Sequence, residues 1–269
     1  MSNHTVSRKV RALTFKEGSF TASRTQVVRE TPVTIVLNGE EIVTLLCIDD
    51  APDYLAVGFC LSEGLIRDAG RIESVDVDGK AGTVRVRTSE DRTSDRIAAR
   101  EKPVITTGCG RGTTFHFSVE GDIKEASDDL RIGPDDIFHL MHELTASSSL
   151  YKETRGTHNC ALAEGRELLV FRADVGRHNA VDKIYGQCAM EGIPMDNKIL
   201  ITTGRITSEI VLKIGRMGLP VLISRHAATD LAVQLGVKYK RTLIGLVRGG
   251  KFTAYSGFRR IIGHSESGA

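Results

Sequence analysis

The chain has no tryptophan among its 269 residues, and aromatic side chains make up only 5% of it. Single-stranded nucleic acid is usually held by bases stacked on several rings, so that class of partner has little support. No apolar run approaches the roughly 18 residues that a membrane-crossing helix needs. A membrane would have to be reached through a partner. No secretory leader opens the chain, and the cysteines are an odd five: Cys47, Cys60, Cys109, Cys160 and Cys188. We therefore expect a reducing compartment, the cytoplasm, and no disulfide framework. Also absent is a Pro-Cys-x-x-Cys element, half of the zinc set of a nucleobase deaminase. His139 and His142 stand three apart, but no carboxylate or cysteine completes a ligand set with them, so no permanently bound metal is expected.

What is present is ordinary soluble material: 41% hydrophobic, 26% charged, enough for one large domain or two modest ones. The net charge of +2 is unevenly spread. Residues 201–260 carry eleven lysines and arginines against two acids, Glu209 and Asp230. Such a field draws polyanions, and phosphates held by arginine and glycine-rich backbone suit it as well as nucleic acid does.

The first hundred residues have an antiparallel rhythm. A strand is expected near Val10–Phe15, and the apolar runs on either side of Asn38-Gly39 predict a hairpin, because Asn-Gly accepts the positive φ angles of a two-residue turn. Asp50 and Pro52 start a helix that Gly64 stops, and a second hairpin spans Ile72 to Thr88 with its turn near Asp78-Gly79. One antiparallel sheet with one helix follows. From Ser89 to Pro103 the chain turns charged and loses periodicity, as a solvated connection does.

Beyond it, four helices are expected from apolar spacing at Ile137–Leu144, Val181–Cys188, Ile210–Met217 and Leu231–Leu235. Short β-rich runs at Lys198–Thr202, Pro220–Ser224 and Thr242–Val247 lie between or after them, predicting a largely parallel sheet covered on both faces.

Between these halves lies Ile105-Thr-Thr-Gly108-Cys109-Gly110-Arg111-Gly112-Thr-Thr-Phe115. Glycines leave the Cys109 sulfur unshielded, and Arg111 can favour its thiolate, the form that attacks electrophiles and carries a transferred sulfur. A plain connection with a half-buried thiol is the other reading. In the second half, three loops collect arginine, glycine and hydroxyls near predicted strand ends: Arg172–Asn179, Thr202–Arg205 with Thr207–Glu209, and Arg248–Lys251. Open α/β sheets bind ligands at such ends. His178, flanked by Asp174, Arg177 and Asp182, is the best general acid or base, with capping or packing equally open; His158 and Cys160 share one face of a strand and read as structural.

The run Asp174-Val-Gly-Arg-His-Asn-Ala-Val-Asp-Lys183 resembles the signature of the FdhD (NarQ) family, the formate dehydrogenase accessory sulfurtransferases. So do Val36-x-Asn38-Gly39-Glu40, Gly58-Phe59-x-Leu61-Ser62-Glu63-Gly64, Gly204-Arg205 with Ser208-Glu209, and Val247-Arg248-Gly249-Gly250-x-Phe252, so that the resemblance covers about residues 26–260. It implies an α/β fold: a larger three-layer α/β/α domain like that of cytidine deaminase, over 118–269, a smaller N-terminal α+β domain over 1–103, and a reactive-cysteine loop at their seam, 104–117. The implied activity is sulfur transfer. A cysteine desulfurase would load Cys109 as a persulfide, with Gly108, Gly110 and Arg111 supporting the loop. The sulfur would pass to bis(molybdopterin guanine dinucleotide) carrying molybdenum or tungsten, bound as substrate, before the formate dehydrogenase catalytic subunit receives it. The residues implied to hold that cofactor are Phe252, Thr253, Ala254, Tyr255, Ser256 and Gly257, joined by Arg248, Gly204, Arg205 and His178. A homodimer is implied, with neither nucleic acid nor membrane as a partner. This chain departs from the family's Cys-Gly-x-Cys pattern, because Gly112 occupies the second cysteine's place. A non-catalytic, cofactor-binding chaperone for formate dehydrogenase therefore stays open beside the transferase.

Overall fold

The structure, a computed structural model, describes residues 6–89, the backbone of 104–105 and 113–114, and residues 123–263. Strands β1 (Ser7–Lys16) and β2 (Ser19–Val28) form a separate two-stranded ribbon. At its tip Phe15 and Phe20 pair across the strands, with ring centroids 5.0 Å apart. Strands β3 (Thr31–Leu37) and β4 (Glu40–Cys47) make the expected Asn-Gly hairpin, with Asn38 at φ 50° and Gly39 at φ 87°. Helix α1 (Pro52–Ser62) follows, its proline in the first turn, where the missing amide costs nothing. Strands β5 (Ile72–Asp78) and β6 (Thr83–Thr88) form the second hairpin, whose turn is closed by Asp78 accepting from the Lys80 and Ala81 amides.

These four strands lie in the order β4-β3-β6-β5, and β3 pairs with β6 in parallel. The expected antiparallel sheet is therefore mixed. The reason is topological: α1 intervenes between the hairpins and the chain returns at the far edge, so the second hairpin lays β6, not β5, against β3.

After short paired strands β7 (Val104–Ile105) and β8 (Thr113–Thr114) comes the second layer system. Its elements are α2 (Pro134–Ala146), α3 (Ser149–Thr154), β9 (His158–Glu164), β10 (Glu167–Asp174), α4 (Arg177–Glu191), β11 (Ile199–Thr202), α5 (Ser208–Met217), β12 (Val221–Ser224), α6 (Asp230–Lys238), β13 (Thr242–Arg248) and β14 (Lys251–Ser256). The helix beyond the expected four is the short α3, which Ser148 starts by accepting from the Tyr151 amide. Sheet order is β10-β9-β11-β12-β13-β14, and only the β11–β12 and β12–β13 pairs are parallel. The largely parallel sheet expected from sequence is thus a parallel centre with antiparallel flanks.

Both faces are covered, as periodicity implied. Ile137, Leu140, Met141 and Leu144 of α2 pack on Ala161, Ala163, Ile201 and Ile223. On the other face one apolar cluster runs from Ile35 and Val84 of the small sheet, through Leu55 and Phe59 of α1 and Val181 and Ile184 of α4, to Leu200 and Leu222. Helices α1 and α4 cross with backbones in contact. A Cβ on Gly58 would fall 1.7 Å from the Asp182 carbonyl oxygen, and one on Gly186 would fall 1.9 Å from that of Tyr54. Only glycine permits this approach.

Candidate functional site

The signature run 174–183 divides its residues between two tasks. Four of its polar side chains grip the first part of the chain. Asp174 Oδ2 accepts from the Ile48 amide at 3.1 Å and pairs with Lys183 Nζ at 2.7 Å, while Lys183 donates to the Ile48 carbonyl at 3.0 Å. Asn179 donates to the Leu46 carbonyl at 2.9 Å. Asp182 Oδ1 accepts from Ser62 Oγ at 2.7 Å and from Lys213 Nζ at 2.8 Å, and Lys213 also reaches Glu63 at 3.1 Å. Burial pulls the Lys213 ammonium down, but Asp182 and Glu63 outweigh it and hold it above its ordinary value. Ser62 and Glu63, expected only as a helix end, are thus half of a buried ionic clamp.

Arg177 and His178 do the other task. They open α4, whose N-cap is Gly176, and they lie beside the loop after β11. A Cβ on Gly204 would come within 3.0 Å of Arg177 Cβ, so the arginine stem lies on that glycine. His178 Nε2 meets Glu209 Oε2, in the first turn of α5, at 2.6 Å. The neighbouring loop is tied in through Ser224, whose hydroxyl donates to the Gly204 carbonyl at 2.5 Å and accepts from the His226 amide at 2.9 Å. His226 in turn offers its carbonyl to the Leu246 amide at 3.1 Å. There β13 breaks register and Leu246 takes φ 56°, a left-handed conformation that a bulky residue adopts only under constraint.

The bulge brings the last strand in. Gly245 would place a Cβ 2.6 Å from the His226 carbonyl and 2.8 Å from the Tyr255 ring, so Tyr255 and His226 share its bare surface. Of the residues expected together, Gly204 and Arg205 follow the carboxyl end of β11, His178 in the first turn of α4 reaches Glu209 of α5, and Tyr255 lies against Gly245 of β13. Arg205 is exposed there, and Arg248 is exposed at the same end of β13. The rest of 252–257 divides. Phe252 faces the opposite layer, its ring 5.8 Å from Phe138 of α2. Thr253 is exposed opposite Gly245, and Ala254 pairs with Ile244. Ser256 and Gly257 lie at the far end of β13, where Ser256 donates to the Arg241 carbonyl at 2.8 Å and the Gly257 carbonyl accepts from Thr242 at 2.7 Å.

The basic C-terminal segment is less available than its composition suggested. Lys213, Arg216, Arg241 and Arg260 are buried. Arg241 donates to the carbonyls of Lys124 and Gly215, and burial holds its guanidinium down at about 10. Arg260 reaches Ser127 and Lys240 carbonyls and Asp128. These arginines staple backbone instead of facing a ligand.

Cys109 and its supports Gly108, Gly110 and Arg111 lie outside the described residues. The other four cysteines are all buried. Burial, above all, pushes the thiols of Cys47, Cys160 and Cys188 up to about 12. Cys160 donates to Thr202 Oγ1 at 3.1 Å and is sealed in the core, which makes it a poor stand-in for the cysteine missing at Gly112. Among the described residues no three His, Cys, Asp or Glu side chains meet in metal-holding geometry, and no helix is long and apolar enough to cross a membrane.

The ionic clamp was missed from sequence, as were the places of His158 and His226, whereas Arg177 lies in the Arg172–Asn179 loop that the sequence singled out. Spacing held a partial signal: Asn179, Asp182 and Lys183 recur along one flank of α4, which marks a polar buried face, and Asp174 ends the strand before it.

The chain resembles the sulfur carrier protein FdhD of Bacillus pumilus at 39% identity over 96% of its length and 99% of the relative's. The same-named protein of Bacillus subtilis is 36% identical over 92% and 94%. A crystal structure described as a formate dehydrogenase accessory protein, from Desulfotalea psychrophila, superposes with a TM-score of 0.80 and 26% identity, covering 96% of this chain and 100% of that one. The clamp and the site loops all fall within residues 28–262, the stretch matched by the model of the FdhD/NarQ family, and to that family the chain belongs.

Proposed function

We propose that this protein is a sulfur carrier for formate dehydrogenase maturation. In this reading Cys109 takes sulfur from a cysteine desulfurase and passes it to bis(molybdopterin guanine dinucleotide), with molybdenum or tungsten, before the cofactor enters the dehydrogenase. Family membership supports sulfur transfer. The observation that carries the choice of residue is the burial of the other four cysteines, which leaves Cys109 as the thiol to bet on.

The loading step balances without a redox partner. The Cys109 thiolate attacks the outer sulfur of the donor's persulfide, a new S–S bond forms to Cys109, and the donor cysteine leaves as thiolate with the electron pair of the broken bond. Release as sulfide needs two electrons. A neighbouring cysteine could supply half of a disulfide in relatives with the Cys-Gly-x-Cys pattern; with Gly112 here, an external thiol attacks the Cys109 sulfur, hydrosulfide departs, and a second thiol reduces the mixed disulfide. Arg205, Arg248, His178, Gly204 and Tyr255 would face the cofactor at the strand ends, while Phe252, Ser256 and Gly257 would shape the strand behind them. Residues 104–117 would form the seam between a 1–103 unit and a deaminase-like 118–269 unit, and the working form would be a cytoplasmic homodimer.

Gly112 also favours a second reading, a chaperone that holds the cofactor without relaying sulfur. Intact-protein mass after incubation with a cysteine desulfurase and cysteine separates the two. Reductant-labile added sulfur on the native chain, absent from Cys109→Ala, is the carrier's result; none on the native chain, with an active donor, leaves the chaperone.

A further inference from the structure

The β1–β2 ribbon lies ahead of the stretch matched by the family model, which begins at residue 28. Its base is held in place. Gln26 donates to Ser7 at 2.6 Å, and Val28 sits so near Gly156 that a Cβ there would fall 2.9 Å from it. Among the described residues nothing covers its outer half, where Leu13 is 65% exposed, Phe15 61% and Phe20 69%.

Residues directly opposite on paired antiparallel strands share a face, and the register gives this ribbon two unlike ones. One face carries Phe15 opposite Phe20, then Leu13 opposite Ala22, then Arg11 opposite Arg24. The other is rich in hydroxyls, with Thr14 opposite Thr21 and with Ser23 and Thr25 beyond. Like charges set directly opposite repel each other. Among the described residues the ribbon's one ion pair joins Lys16 to Glu17, 3.5 Å apart at the turn, and Arg11 and Arg24 have no carboxylate. Five lysines and arginines stand against one acid over residues 7–28. The arginine row therefore asks for an anion, and the apolar rows ask for hydrocarbon beside it. A second copy meets neither need, because two such faces would bring four arginines together. Nucleic acid supplies phosphates but nothing for Leu13 or for two phenylalanine rings packed on each other.

We propose that the Phe15–Phe20 face of the β1–β2 ribbon is a peripheral docking element for an anionic lipid bilayer, with Phe15, Phe20 and Leu13 among the upper acyl chains and Arg11 and Arg24 on lipid phosphates. At about 3.4 Å per residue the two apolar rows stand about 7 Å apart and the arginine row about 7 Å further on, which suits the roughly 5–10 Å to which interfacial elements sink. Cations at that level are drawn by anionic headgroups. Glu17 is offset by Lys16, so the turn brings no net charge to the surface. No helix among the described residues is long and apolar enough to cross a membrane, and a peripheral contact needs none. A membrane thus joins the partners, which the family resemblance did not imply. The contact is independent of the sulfur-carrier reading.

The test is co-sedimentation of the full chain with vesicles of phosphatidylcholine alone and of phosphatidylcholine mixed with phosphatidylglycerol. Binding should be about tenfold tighter to the anionic vesicles, and most of it should disappear in about 1 M salt, where the screening length is about 3 Å. Phe15→Ser with Phe20→Ser, and separately Arg11→Gln with Arg24→Gln, should each weaken it about tenfold with the urea midpoint unchanged, because all four positions are exposed. Leu231→Ser, at an exposed leucine of α6, should leave it intact. Because the chain has no tryptophan, Phe20→Trp places a single reporter on the face and Leu231→Trp a single control. Anionic vesicles should shift the emission of the first to the blue and shield it from iodide, and leave the second unchanged. No binding, equal binding to neutral vesicles, equal loss in the Leu231 variant or an unshifted reporter overturns the proposal. So does tighter binding of a short DNA duplex through the same residues, or ribbon variants that alter only the oligomeric state.

Discussion

Gly58 and Gly186 meet across the α1–α4 crossing with no side chain between the two backbones. Alanine at position 58 would have to share space with the Asp182 carbonyl, which is backbone and cannot rotate away. We expect Gly58→Ala to cost more than about 3 kcal/mol, at the upper end of overpacking effects. Urea unfolding followed by circular dichroism measures it; a loss below about 1 kcal/mol would show that the helices slide apart easily.

Lys213 is ringed by Asp182, Ser62 and Glu63 in a buried site. Lys213→Met keeps the stem's volume but leaves two carboxyls without their cation. The expected loss is about 3–5 kcal/mol, as for other buried pairs broken from one side. An unchanged urea midpoint would contradict the clamp.

Thiols pushed up to about 12 at Cys47, Cys160 and Cys188 carry almost no thiolate near neutral pH. Brief iodoacetamide treatment of the native chain should therefore modify Cys109 and spare those three, whereas urea exposes them all. Peptide mapping reads the outcome, and native labelling at Cys160 would refute its burial.

His158 binds its proton less readily folded than unfolded. Its contribution to stability is therefore complete above about pH 6.5, the unfolded value, and is lost as pH falls through the lower folded value. Urea midpoints between about pH 7.5 and about pH 5.5 should decline more in the native chain than in His158→Gln. Parallel curves would remove His158 from the acid response.

Local chemistry was the legible part of the fold. Asn38-Gly39 announced its hairpin because few dipeptides accept two positive φ angles, and Val181, Ile184 and Cys188 announced α4 by their spacing. Pairing between distant strands was not legible. Nothing local to Thr34 or Thr83 says that they lie side by side in parallel, and β9, β10 and β14 flank the parallel strands in a way that their own residues do not encode. Of the site, the loops at Gly204 and His178 could be named because glycine, arginine and histidine stand out near strand ends. Ser62, Glu63 and Lys213 could not, since a helix end and a lone lysine look alike whether solvated or buried. The same ambiguity made the C-terminal basic surplus look like a surface field, although Arg241 and Arg260 point inward.

The bond between the two sheets has a consequence for how the molecule comes apart. Leu46, Ile48 and Ser62 are held by Asn179, Lys183 and Asp182 of α4, and α1 touches α4 backbone to backbone. Neither sheet keeps its neighbours if the other lets go. Calorimetry should accordingly record one melting transition for the two sheets, and a fragment carrying only one of them would begin life with its half of the clamp stranded in water.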